Sequence, residues 1–315
     1  MNISVVIPLL NEKESLNELS NSILEVMNTY NFSYEVIFID DGSSDESWEV
    51  IEKLSQNSDI IKGIKFRRNY GKSQALHAGF LKAKGDVVFT MDADLQDDPK
   101  EIPGMYDMII NQNYDLVSGW KKKRFDSLLF KNIPSKIFNF AARLTSGIKL
   151  NDFNCGLKAY KKEVVKTINV YGEMHRYIPV LAKNEGYKMI AEKIVIHKPR
   201  KHGKTKFGPS RFLYGFLDLL TIWFISSFGK RPMHLFGSLG LILLFTGFIF
   251  AIYLGYDKII LNPDSRLITE RPEFFISLAT MIIGSQFFSM GFIGELMLKN
   301  MNKKPQYIIQ KQANL

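Results

Sequence analysis

Cysteine is all but missing from this chain of 315 residues. Cys155 stands alone, so no disulfide can form within the chain and the redox compartment is left open. The amino terminus lacks the basic start and apolar stretch of a secretory leader, and Ile3 to Pro8 already reads as a strand. The part that follows is therefore expected to stay in the cytoplasm. Glycine-rich nucleotide motifs are missing too. No Gly-x-Gly-x-x-Gly occurs, which leaves a dinucleotide fold unsupported. Gly71-Lys72-Ser73 and Gly203-Lys204-Thr205 imitate the end of a phosphate loop. The glycine required five positions earlier is Phe66 in one and Lys198 in the other. No signature of a nucleic-acid-binding module is present, so no nucleic-acid partner is expected.

Charge is missing from two stretches. Leu235 to Tyr256 and Phe274 to Ile293 carry no charged residue, and each is long enough to cross a hydrocarbon core, which takes roughly 20 helical residues. Acidic residues are missing from Lys193 to Arg211, which holds seven Lys or Arg and directly precedes the apolar third. With a net charge of +9, basic residues so placed fit anionic headgroups or a phosphate on a lipid. Between these segments Phe212, Phe216, Leu220 and Trp223 recur at helical spacing around Asp218, as in an amphipathic helix lying in the interface. Lys230 and Arg231 precede the first span and Lys299, Lys303 and Lys304 follow the second. Both ends of the hairpin are thus expected to face the cytoplasm at the inner or plasma membrane.

What is present in the first 120 residues is alternation of strand and helix patterns. Ile3–Ile7, Glu35–Ile39, Ile60–Phe66, Asp86–Met91 and Asp115–Ser118 read as strands, with helical spacing at Glu12–Tyr30, Ser44–Leu54, Lys72–Ala83 and Pro99–Ile110. This predicts an α/β fold, a doubly wound and mostly parallel sheet, followed by the interfacial helix and a two-helix transmembrane hairpin. The expected divisions are a catalytic domain at 1–208, the amphipathic helix at 209–231, the hairpin at 232–300 (spans near 235–256 and 274–297) and a tail at 301–315. Ligands of such sheets bind at the carboxyl ends of the strands.

Two acidic motifs sit at those ends. Asp92-Ala93-Asp94-Leu95-Gln96 follows the run Val87–Met91. Two carboxylates two residues apart can share a divalent cation that neutralises a leaving diphosphate, and oxygen ligands favour Mg2+ or Mn2+ over zinc. Asp98, before Pro99, is expected to cap the helix that follows. Asp40-Asp41-Gly42-Ser43-Ser44-Asp45 follows the second strand, where a carboxylate can accept a hydrogen bond from a base or ribose while Ser44 or Asp45 caps a helix.

These motifs, with Val6-Ile7-Pro8, Asn11-Glu12 and Asn69-Tyr70-Gly71-Lys72, resemble the family 2 glycosyltransferases of the GT-A fold. Within them the chain is similar to the polyprenyl-phosphate branch with a two-helix anchor. The resemblance implies metal-dependent, inverting transfer of a hexose from a nucleotide-sugar to undecaprenyl phosphate, for envelope glycan or glycoprotein modification. It implies that Pro8, Asn11, Glu12, Asp40, Asp41 and Lys72 line the nucleoside pocket, with Asp92 and Ala93 also at the donor. Asp92, Asp94 and Gln96 are the implied metal ligands. Asp152, in Asn151–Gly156, is the implied catalytic carboxylate beside Asp94. Arg200 and Lys206 belong to a basic loop over the donor diphosphate. Lys121, Arg124, Lys131 and Ser135 are the implied acceptor-phosphate site, with lysine at 131 where the branch carries arginine. His175 and Arg176 are further candidates facing the acceptor. A homo-oligomer, such as a tetramer, is also implied.

Two rivals are weaker. A processive polysaccharide synthase needs a Gln-x-x-Arg-Trp motif, and none of Trp48, Trp120 and Trp223 follows an arginine. A non-catalytic module that binds nucleotide-sugars has no need of Asp152. The expected donor order is UDP-glucose, then GDP-mannose.

Overall fold

The computed structural model describes residues 1–122, 139–140, 142–144, 146–172, 174–199, 224, 228, 231–300 and 309–314. The chain divides into two units, one of residues 1–223 with 304–315 and one of residues 224–303.

In the first unit the β-branched run Ile3–Leu9 forms β1, buried along its whole length. A strand covered on both faces reads as a continuous apolar run. It pairs in parallel with β2 (Tyr34–Asp40) and β4 (Val87–Thr90), and β2 pairs in parallel with β3 (Ile61–Phe66). The helices α1 (Leu16–Thr29), α2 (Ser47–Asn57), α3 (Lys72–Lys82) and α4 (Ile102–Ile110) make the crossovers. α1 turns Leu16, Leu19, Ile23 and Met27 into the core, one face of a 3.6-residue period. Asp98 accepts from the Lys100 N–H at 3.1 Å, the expected cap.

Strand β5 (Leu116–Trp120) completes the expected set, and three further strands were not expected. β6 (Lys158–Lys161) runs antiparallel between β4 and β5, followed by α5 (Lys162–Thr167). After α6 (Ile178–Asn184), β7 (Ile190–Ile194) joins β5 in parallel. β8 (Ile309–Ala313), from the end of the chain, pairs antiparallel with β3 and closes that edge. The eight strands lie in the order β7-β5-β6-β4-β1-β2-β3-β8. Because β6 begins where β4 ends, the loop that enters β6, residues 151–157, meets the carboxyl end of β4.

The second unit is a pair of helices, α7 (Pro232–Tyr256) and α8 (Pro272–Asn300), both long and apolar enough to cross a membrane. Ile242, Ile249, Ile252, Ile276 and Phe292 are exposed on them, so these are not buried core helices. Apolar surface of this extent marks membrane association. The helices touch through glycine: a Cβ on Gly240 would lie 2.7 Å from the Gly284 carbonyl oxygen, and one on Gly284 would lie 2.8 Å from that of Gly240. Such close backbone approach is how helices pack where lipid offers no hydrophobic drive. The expected interfacial helix at 209–231 lies, but for residues 224, 228 and 231, outside the described residues.

Candidate active site

The carboxyl ends of β1, β2 and β4 are in register, with Leu9 opposite Asp40 and Val6 opposite Thr90. Their loops open on one cleft of about 610 Å³, the size of a small-molecule site. Pro8 and Glu12 line it from β1's loop, Asp41 from β2's, and Lys72 from the start of α3. Asp92, Ala93, Asp94 and Gln96 line it from β4's loop, Lys121 from the end of β5, and Asp152 from the loop before β6.

Asn11 and Asp40 are placed differently and do not line the cleft. Asn11 accepts from the Ser44 N–H at 2.8 Å and ties the two loops together. Asp40 is fully buried and accepts from the Ser43 N–H at 2.8 Å, which shapes the turn. Asp41 accepts from the backbone N–H groups of Tyr70 (2.7 Å) and Gly71 (2.9 Å). Burial nevertheless pushes the Asp41 carboxyl up to about 6.

Asp92 is governed by its cations. Its Oδ1 lies 2.5 Å from the Lys72 ammonium. Burial alone would raise its pKa, but Lys72, Lys121 and Lys158 together hold it below the usual carboxylate range. The turn beyond is tight: Leu95 takes φ 61°, rare outside glycine, and Asp94 accepts from the Gln96 N–H at 3.2 Å. Gln96 and Lys198 bind each other's backbone, and Lys198 pairs with Asp98 at 2.7 Å.

Lys121, expected at an acceptor phosphate, pairs with the buried Asp97 at 2.8 Å. It therefore also braces the Asp92 loop against β5. Arg124, Lys131, Ser135, Arg200 and Lys206 lie outside the described residues.

The loop carrying Asp152 crosses directly over Asp92. A Cβ on Gly156 would meet the Asp92 carboxylate at 2.5 to 2.7 Å, so only glycine permits this approach. Asp152 is buried and accepts from the Asn154 N–H at 3.1 Å. His175 and Arg176 also line the cleft. The His175 backbone N–H donates to Ser73 at 3.0 Å, and burial holds its imidazole well below its usual range, hence neutral. The sequence reading missed Lys158, which lines the same cleft from β6.

The donor set suits a hard cation. Asp92 and Asp94 offer oxygen in one cleft, and among the described residues no three His, Cys, Asp or Glu side chains converge as a closed cage. Magnesium-type ions are held by one or two carboxylates plus substrate phosphates. The residues present fit such an ion, and Lys72 on Asp92 marks where positive charge is wanted.

A protein-family model, Glycosyl transferase family 2, matches residues 4–168. The chain belongs to glycosyl transferase family 2. This family 2 chain is a glycosyltransferase. It is 34% identical to a dodecaprenyl-phosphate galacturonate synthase of Rhizobium johnstonii over 99% of this chain and 93% of that one. It is 34% identical to an undecaprenyl-phosphate 4-deoxy-4-formamido-L-arabinose transferase of Edwardsiella ictaluri, over 98% of this chain and 93% of that one. Neither name carries glucose or mannose. In fold it is similar to glucosyl-3-phosphoglycerate synthase of Mycobacterium tuberculosis, solved with Mn2+, UDP and glucosyl-3-phosphoglycerate (TM-score 0.54, 16% identity, 71% of this chain and 79% of that one). That likeness, together with the family, bears out the GT-A fold expected from the sequence.

Proposed function

We propose that this glycosyltransferase moves a sugar, with inversion, from a nucleoside-diphosphate sugar to a polyprenyl phosphate at a membrane face. The observation that carries the reading is the shared cleft. Asp41 on the nucleotide side, Asp92 and Asp94 at the diphosphate and Asp152 beyond them border one volume, in a chain that also holds an apolar helix hairpin. The two relatives above bear polyprenyl-phosphate names and match this chain end to end, which supports the acceptor class.

In this mechanism Asp92, Asp94 and Gln96 would hold a divalent cation, which would neutralise charge on the departing nucleoside diphosphate. Asp41 and the Tyr70–Gly71 backbone shape the nucleoside end. Asp152 orients the acceptor. A phosphate monoester with a second pKa near about 6 is already ionised, so no proton need be removed. Lys72, which borders the cleft beside Asp92, contacts the donor nucleotide. Arg200 and Lys206 are the proposed partners of the donor diphosphate, and Lys121, Arg124, Lys131 and Ser135 those of the lipid phosphate.

The catalytic unit and both termini lie on the cytoplasmic side in this reading. Support comes from β8: the chain leaves the first unit, passes through two helices and returns to pair with β3. Two crossings bring it back to the side it left. Self-association, such as a tetramer, belongs to the same reading.

The donor is the open choice. The relatives' names move galacturonate and 4-deoxy-4-formamido-L-arabinose ahead of glucose and mannose. The test incubates detergent-purified protein with undecaprenyl phosphate, Mg2+ or Mn2+, and labelled UDP-linked galacturonate, 4-deoxy-4-formamido-L-arabinose, glucose or GDP-mannose. Label entering the organic phase from one donor, absent in Asp152→Ala, is expected. No lipid-linked label from any donor while nucleotide still binds overturns the acceptor assignment.

A further inference from the structure

Thr90, Lys158 and Ser118 form one row across three neighbouring strands. Thr90 on β4 is directly opposite Lys158 on β6, and Lys158 is directly opposite Ser118 on β5. Directly paired residues share a face of the sheet. All three side chains do the same thing: each donates to a backbone carbonyl of the loop that carries Asp152. Ser118 Oγ donates to the Asp152 carbonyl at 3.2 Å, the Lys158 ammonium to the Cys155 carbonyl, and Thr90 Oγ1 to the Gly156 carbonyl at 2.8 Å. All three donors are buried.

Lys158 is the costly member. An ammonium taken out of water costs several kcal/mol unless charge or hydrogen bonds repay it. A methionine would fill such a strand position without that cost. Burial and Lys72 work against its charged form, while Asp152 and Asp92, the carboxylates on the two loops that cross at Gly156, favour it. An ammonium attracted to both carboxylates offsets the repulsion they would exert on each other alone.

We infer that the Thr90–Lys158–Ser118 row is a positioning cradle that grips the backbone of residues 152–156 and fixes Asp152 relative to the Asp92 end of β4. It rests on the proposed transferase reading only for its consequence in catalysis; the grip itself is a property of the fold. Misplacing a reacting group by about 1 Å can cost about 100-fold in rate. The row acts through the carbonyls, so its members are positioning residues.

The test uses full-length protein in detergent and three variants, Lys158→Met, Lys158→Arg and Thr90→Val. Amide exchange of residues 152–156 is measured without donor or lipid. Binding of UDP and of GDP, each with Mn2+, is measured by calorimetry, and kcat and KM are taken with whichever donor transfers. In Lys158→Met, exchange at 152–156 should rise at least about tenfold while β1–β4 keep their protection. Nucleotide affinity should stay within about threefold, and kcat should fall about 100-fold with donor KM little changed. Lys158→Arg, which keeps a buried donor and charge, should recover most of that loss. Thr90→Val loses one hydrogen bond and should raise exchange about fivefold. Should Lys158→Met not fold, Thr90→Val carries the test. Unchanged exchange at 152–156 overturns the cradle, and so does a rise spread over the whole sheet. A raised KM with kcat kept also overturns it, in favour of direct substrate contact by Lys158. If no donor transfers at all, the exchange result still decides the cradle, and only the transferase reading fails.

Discussion

Two loops of this molecule begin alike and end differently. β2 ends on Asp40 and Asp41 follows; beyond β4 comes Asp92-Ala93-Asp94. Adjacent residues leaving a strand point to opposite sides, so Asp40 is buried beneath its turn while Asp41 faces the cleft. Asp92 and Asp94, in the turn beyond the end of β4, both border the cleft, as does Ala93 between them. The environments differ as well. Asp41 is held by neutral backbone N–H groups, and burial wins, lifting its carboxyl to about 6. Asp92 is held by ammonium groups, and they win, keeping it ionised below the usual range. Where the strand ends decides how many carboxylates a loop offers, since Asp40 is still within β2 and Asp92 and Asp94 lie beyond β4; the partners' charge decides whether they stay ionised.

The largest effect should come from removing one member of the two-apart pair. Asp94→Ala deletes an oxygen from the proposed cation site. Loss of that charge neutralisation should lower kcat about a thousandfold, measured as label transfer to lipid, with the melting temperature little changed. A fall of less than about tenfold would break the claim that the second loop serves a metal and the first does not.

Next is the cation that sets the second loop's character. Lys72→Met leaves Asp92 without its nearest partner, and transfer should fall about thirtyfold, the value of one charge-assisted hydrogen bond. The pH dependence of stability sharpens the contrast. Asp92's folded pKa lies below its unfolded value. Its contribution to stability is therefore present above pH 4 or so and is lost as pH falls through the lower folded value. Asp41's folded pKa lies above its unfolded value. Between roughly pH 4 and 6 the folded state binds the extra proton, so that contribution is lost as pH rises. Urea melts of Lys72→Met should lose stability chiefly above pH 4. Asp41→Asn should flatten the pH 4–6 slope instead. It should also weaken nucleotide binding about tenfold by calorimetry, because an amide cannot accept from both Tyr70 and Gly71 through two oxygens.

The sequence announced these two loops because each follows a β-branched run and each is short. It did not announce the cradle, for a physical reason. Thr90, Ser118 and Lys158 are ordinary residues in three strands, and only the pairing of β6 between β4 and β5 makes them a row. β6 itself reads Lys-Ala-Tyr-Lys, too short and too charged to stand out, although Lys158 and Tyr160 are buried. β8 was hidden for a similar reason: Ile-Gln-Lys-Gln-Ala becomes a strand only because β3 offers it an edge. The hairpin, by contrast, was legible from missing charge alone, and Asp98 from the proline after it. Lys121 shows the limit in the other direction. A basic residue beside a site is expected to meet a phosphate, and Lys121 does line the cleft, but its pairing with Asp97 is one that no spacing rule reveals.

The smallest effect should come from the other member of the adjacent pair, and it is the sharpest test of spacing. Asp40 is buried, with its carboxylate on the Ser43 N–H. Burial raises its pKa, so its charge is a burden to the fold rather than a tool. Asp40→Asn keeps an acceptor for Ser43 and removes that charge. Stability near pH 7 should hold or rise by up to about 1 kcal/mol, and both nucleotide affinity and transfer should stay within about twofold. The same change one residue later, at Asp41, should cost about tenfold in nucleotide affinity. If the two asparagine variants behave alike in calorimetry, the division of labour between adjacent carboxylates is wrong, and Asp40 reaches the nucleotide after all.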